Sequence, residues 1–164
     1  MTQGKILVAE KANVYLLKLT GDVRLTLCAS ITDYINKIFK NDAVEEVYVD
    51  LLEAECIDST TLGLLAKLAL HTVKAFNIRT KILCVNKDIL RVFEAMDIDN
   101  LFDILGLPVS ERSIPVEIKE LKPKIVDEDT VRKQVLEAHQ LLVKLNPELM
   151  NEFFDLITSL QTLD

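Results

Sequence analysis

The chain has 164 residues, 49% hydrophobic and 27% charged, with a formal net charge of −7. That apolar content suffices for a buried core in one domain, or one domain plus an appendage. The acidic balance argues against non-specific nucleic-acid binding and against docking on anionic membranes, since both need Lys and Arg to meet phosphates.

Taken in chain order, residues 5–9 and 13–19 read as two short strands, rich in β-branched and apolar residues. Gly21-Asp22 then signals a turn. Residues 26–40 have helical spacing, with Leu27, Ile31, Tyr34, Ile35 and Ile38 on one face, and Asn41-Asp42 ends them. Residues 44–51 form a strand in which Val47 and Val49 point one way and Tyr48 and Asp50 the other. Residues 60–76 are a Leu-rich helix, 79–85 a strand, 88–96 a short helix built on Ile89, Val92, Phe93 and Met96, and 101–105 a short extended piece. The order β-β-α-β-α-β-α predicts a mixed sheet packed with helices, with parallel strands where a helix intervenes between 44 and 85.

Prolines 108, 115 and 123 mark 106–126 as a connector, with a strand-like piece at 114–118. Beyond it, Val131, Val135, Ala138, Leu142 and Leu145 make one helical stripe; Leu149, Phe153, Leu156, Ile157 and Leu160 make another. Asn146-Pro147-Glu148 between them is a helix restart: cap, first-turn proline, acid beside the dipole. So short a break makes the pair a hairpin, packed on the main domain or on a partner. The organisation expected is a domain over 1–108, a connector over 109–126 and a two-helix extension over 127–164.

Most chemistry is absent from the sequence. The three cysteines, Cys28, Cys56 and Cys84, are odd in number, lack C-x-x-C spacing and sit among apolar residues, so they read as reduced, core-packed thiols. The two histidines, His71 and His139, have no metal-ligand spacing and read as surface or boundary residues. With four glycines there is no phosphate cradle, and G-x-S-x-G is missing. Acid pairs such as Glu45-Glu46 and Glu53/Glu55 read as solvated edges. Neither an enzyme nor a bound metal or cofactor is expected. No apolar run approaches the ~18 residues of a membrane span, and no signal-peptide pattern opens the chain, so a cytoplasmic protein is expected.

The exception is I-D-S-T-T-L-G at 57–63. Asp58, Ser59, Thr60 and Thr61 all suit a helix start, where hydroxyls and carboxylates accept hydrogen bonds from orphan amides. A serine there also sits at the positive end of the helix dipole, in a strand-to-helix loop of the kind that carries function.

The run V-D-L-L-E-A-E-C-I-D-S-T-T-L-G-L-L resembles the signature of STAS domains, the fold of bacterial anti-sigma factor antagonists. L-T-G-D-V (19–23), R-T-K-I-L-C-V (79–85) and I-L-R-V-F with Asp97-Ile98 and Leu101-Phe102 agree with the family in order and spacing, over about residues 5–105. The resemblance implies the STAS α/β fold: a mixed sheet packed with helices, here with a C-terminal helical hairpin added. It implies that Ser59 is a phosphoacceptor, with Asp22, Arg24, Asp58, Thr60 and Thr61 in the partner-binding switch loop. It implies partner switching: the unphosphorylated form binds an anti-sigma factor or equivalent regulator, a serine kinase releases it, and a metal-dependent serine phosphatase resets it. Thr61 stands where the family prefers Gly, and Arg24 where an acid is usual. Two other readings compete. One is a STAS subunit of a lipid-transport ABC complex, docking on an ATPase without phosphorylation. The other is an acyl carrier, which the upstream strand at 44–51 and Thr60 in place of Leu argue against.

Overall fold

The computed structural model describes residues 2–106 and 117–162. Strands β1 (Lys5–Lys11) and β2 (Val14–Val23) form an antiparallel hairpin with Lys11 opposite Val14. The chain reverses at Ala12-Asn13, both at positive φ (51° and 66°), the tight turn whose twist suits two adjacent strands.

No reversal occurs at Gly21-Asp22, where the sequence suggests one. β2 continues to Val23 with a register shift between these two residues. Gly21 has φ +70°, and a Cβ on it would lie 2.6 Å from the Gln3 carbonyl oxygen. The glycine therefore serves a bulge and a close backbone approach rather than a turn.

The bulge divides β2 between two neighbours. Val14–Lys18 pair in parallel with β3 (Glu46–Asp50), and Gly21–Val23 with β4 (Ala54–Ile57). The seven-stranded sheet runs β6-β5-β3-β2-β1-β7, with β4 beside β2. β5 (Lys81–Leu83) and β6 (Asp103–Leu105) extend it in parallel, and β7 (Lys119–Leu121) adds antiparallel to β1. Strand β7 comes from the stretch read as a connector. Of the strand-like piece expected at 114–118, residues 114–116 lie outside the described residues, and 117–118 precede the strand.

Helices α1 (Cys28–Phe39), α2 (Ser59–Phe76) and α3 (Lys87–Ala95) bring their apolar faces to the sheet. Tyr15, Leu17, Leu19, Val47, Val49 and Ile82 meet them in the main core. Val14, Leu16 and Tyr48, one step out of phase, join Ala9 in a small cluster of their own. The period of two expected for 44–51 is thus realised.

Helices α4 (Glu128–Leu145) and α5 (Met150–Gln161) form the expected hairpin. Asp127 caps α4 by accepting from the Thr130 amide at 2.8 Å, and Asn146 accepts from the Glu148 amide after the break. The hairpin lies on the main domain: α4 packs along α2, and Leu142, Leu149, Phe153 and Ile157 complete the main core.

Candidate functional site

The residues singled out in the sequence converge at the C-terminal ends of β2 and β4. The register places Asp22 beside Cys56 and Val23 beside Ile57, and the Asp58 amide donates to the Val23 carbonyl at 3.1 Å. One residue later α2 begins. Ligand and partner sites on α/β sheets gather at this edge, outside the carboxyl ends of parallel strands.

Asp58 is the N-cap of α2. Its Oδ1 accepts from the Thr61 amide at 2.9 Å and from the Thr61 hydroxyl at 2.8 Å. Thr61 is fully buried, its Oγ1 3.6 Å from the Cys28 sulfur, and Thr60 is 5% exposed. Both threonines therefore face the interior and build the helix start. The family's glycine is replaceable here because the third residue of α2 has ordinary helical geometry, and its hydroxyl doubles the capping contact.

On the neighbouring strand, Asp22 accepts hydrogen bonds from the Cys56 thiol and the Arg24 guanidinium. The thiol first, and then Arg24, hold the Asp22 carboxyl below its usual range, while the same carboxylate pushes the Cys56 thiol up. Cys56 is therefore half-buried and tied to a carboxylate, not core-packed as the sequence suggests; Cys28 and Cys84 are buried as expected. Burial pushes Cys28 up to about 12, which makes it inert as a nucleophile. Arg24 is 64% exposed and presents its guanidinium to solvent beside Asp22.

Ser59 is the first residue of α2 and is half-buried. Its Oγ lies 2.7 Å from His139 Nε2 on α4. The other ring nitrogen, Nδ1, is 2.7 Å from the Val135 carbonyl. A carbonyl only accepts, so Nδ1 carries a hydrogen, and in the neutral ring Nε2 is left to accept the Ser59 hydroxyl proton. His139 is 2% exposed, with its ring edge-on to Phe153 at 4.8 Å between centroids. The surface or boundary position expected for His139 is thus overturned. The signal was present: His139 follows Val135 by four and precedes Leu142 by three, which sets it on the apolar stripe of α4.

Gly63 makes this contact possible. A Cβ there would lie 2.6 Å from the Ala138 Cβ and 2.7 Å from the Ala138 carbonyl oxygen. The two helices thus touch backbone to backbone one turn beyond Ser59, and Lys67 pairs with Glu137 at 2.7 Å along the same seam. Among the described residues, no group of three or more His, Cys, Asp or Glu could hold a metal ion.

A family model of the STAS domain matches residues 5–112, and the chain belongs to that family. No curated protein matches it. The mixed sheet with its packed helices is accordingly the STAS fold, carrying a C-terminal helical hairpin.

Proposed function

We propose that this STAS-domain protein is an anti-sigma factor antagonist of a partner-switching pathway, and that Ser59 is its reversibly phosphorylated residue. The observation that carries the reading is the position of Ser59. It is the first residue of α2, directly after Asp58, whose amide bonds the Val23 carbonyl and whose carboxylate supplies the cap. A helix start whose cap is already supplied does not need the serine hydroxyl, which is held instead by His139 of α4.

A phosphate there adds roughly −1.5 to −2 charges at neutral pH. The helix dipole tolerates it, so α2 itself persists. A partner packed against a neutral hydroxyl would instead meet a desolvated dianion. A loss of about 3–4 kcal/mol weakens binding by roughly two to three decades. A serine kinase and a metal-dependent serine phosphatase write and erase the mark, in the cytoplasm. No helix among the described residues is long and apolar enough to cross a membrane, which accords with that setting.

Affinity purification from the native host with wild type, Ser59→Ala and Ser59→Asp tests the reading. Wild type and Ser59→Ala retain an anti-sigma factor or equivalent regulator, and Ser59→Asp loses it. Recovery of an ABC ATPase by all three variants alike would replace switching with the lipid-transport subunit role.

A further inference from the structure

Resting on the reading of Ser59 as the phosphosite, we infer that helices α4 and α5 form an intramolecular clasp on α2, latched by the Ser59–His139 hydrogen bond, and that a phosphate on Ser59 releases it.

The latch depends on the Ser59 hydroxyl being a donor. His139 Nδ1 donates to the Val135 carbonyl, so in the neutral tautomer Nε2 offers a lone pair, and the hydroxyl proton fills it at 2.7 Å. Phosphoryl transfer from a nucleoside triphosphate, catalysed by a kinase, removes that proton. An Oγ–P bond forms, the bond from the γ-phosphorus to the bridging oxygen breaks, the nucleoside diphosphate leaves with the electron pair, and the proton passes to the kinase's base. Afterwards Nε2 faces an ester oxygen and a dianion, with no donor between them.

On the α4 side of Ser59, space is also short. The new group must occupy space beside a ring that is 2% exposed, on a helix already in backbone contact with α2 through Gly63 and Ala138. A packed interface of this kind does not absorb a phosphate; it parts.

The rest of the seam is less tightly made, so parting there is favoured over unfolding of the sheet. A groove of about 390 Å³, open to solvent, lies between α1, α2 and α4, lined by Thr32, Leu64, Lys67, Glu137, Leu141 and Lys144. Thr32 Oγ1, on its wall, is buried without a hydrogen-bond partner. Along the groove the side chains of α2 and α4 do not meet, and the unpaired buried hydroxyl costs desolvation; both weaken the docked state relative to the released one. Release uncovers the α2 seam and the hairpin's own Leu142, Phe153 and Ile157, so the mark both charges one surface and exposes another.

The test uses the full chain with phosphoserine installed at position 59 during synthesis, followed by amide hydrogen exchange. Exchange across α4 and α5 should rise about tenfold or more over wild type, while β2 and β3 amides remain as protected as before. Gly63→Ala, which pries α4 from α2 without touching Ser59, supplies the exchange pattern of the released hairpin for comparison. Unchanged or slower exchange in α4 with phosphoserine present overturns the inference; slower exchange would mean that the phosphate is held against α4 rather than parting it from α2. The phosphate is installed chemically, so this result is independent of whether the cell phosphorylates Ser59. Failure of that reading appears only in the affinity purification.

Discussion

Gly63 and Ala138 set the distance between α2 and α4: a single added Cβ on the glycine would sit 2.6 Å from the alanine's. A carbon–carbon approach that close is repulsive, and the obstacle includes the Ala138 backbone, which cannot rotate away. Gly63→Ala gains helix propensity, up to about 1 kcal/mol in an open helix, but overpacking costs about 1–3 kcal/mol. The clash is expected to win. Urea unfolding should show a net loss of stability. A net gain would mean that the helices separate at little cost.

His71 gives a pH dependence with a definite sign. Its ring stacks on Phe39 at 3.9 Å and meets Phe76 edge-on, and its Nε2 is buried without a hydrogen-bond partner. Burial, and secondarily Lys74, lower its pKa below the ordinary 6.5. The unfolded chain therefore takes up a proton at a higher pH than the folded one. This group's contribution to stability is fully present above about 6.5 and falls as pH drops through the window between 6.5 and the lowered folded value. Thermal unfolding at pH 7.5 and pH 5 should show wild type losing more than His71→Phe. Equal losses would show that the ring is not held neutral.

At the site itself, Asp22 and Cys56 share a hydrogen bond that raises the thiol pKa. Asp22→Asn removes the negative charge and should increase the thiolate fraction at Cys56. Alkylation by iodoacetamide at pH 8 should then accelerate several-fold at Cys56, with Cys28 unreactive in both proteins because burial holds it at about 12. Peptide mass mapping reads all three sites at once. An unchanged Cys56 rate would dismiss the carboxylate as the cause.

Much of this was legible in the sequence because the signals are local. The alternation of Val47, Tyr48 and Val49, the cap at Asp58 and the Asn146-Pro147 restart each depend on a few neighbouring residues. β4 was not legible. A-E-C-I is four residues with a charge inside, and it is a strand only because the bulged end of β2 lies alongside. Likewise Gly21 advertises a positive φ but not its use, and a bulge and a turn look alike until the pairing is known. The Ser59–His139 bond joins residues 80 apart in sequence. No spacing rule reaches that far. The helical stripe indicates only that His139 faces inward, and the partner follows from where α4 docks.

Thr61 explains how the chain departs from the family pattern at no evident structural cost, and the explanation can be tested. Its amide and its hydroxyl both donate to Asp58 Oδ1, and its side chain is fully buried against Cys28. Thr61→Val keeps the shape and the amide bond but removes one donor to the cap. It also leaves the Cys28 sulfur without its oxygen contact, so a loss of about 1 kcal/mol is expected. Thr61→Gly restores the family residue, but it empties a buried site and adds backbone entropy inside the first turn, for about 1–3 kcal/mol. The order wild type, Val, Gly in urea midpoints is the expected outcome. Were Thr61→Gly as stable as wild type, the helix start would be held by Asp58 and the Thr61 amide alone, and the threonine side chain would contribute nothing that the family's glycine lacks.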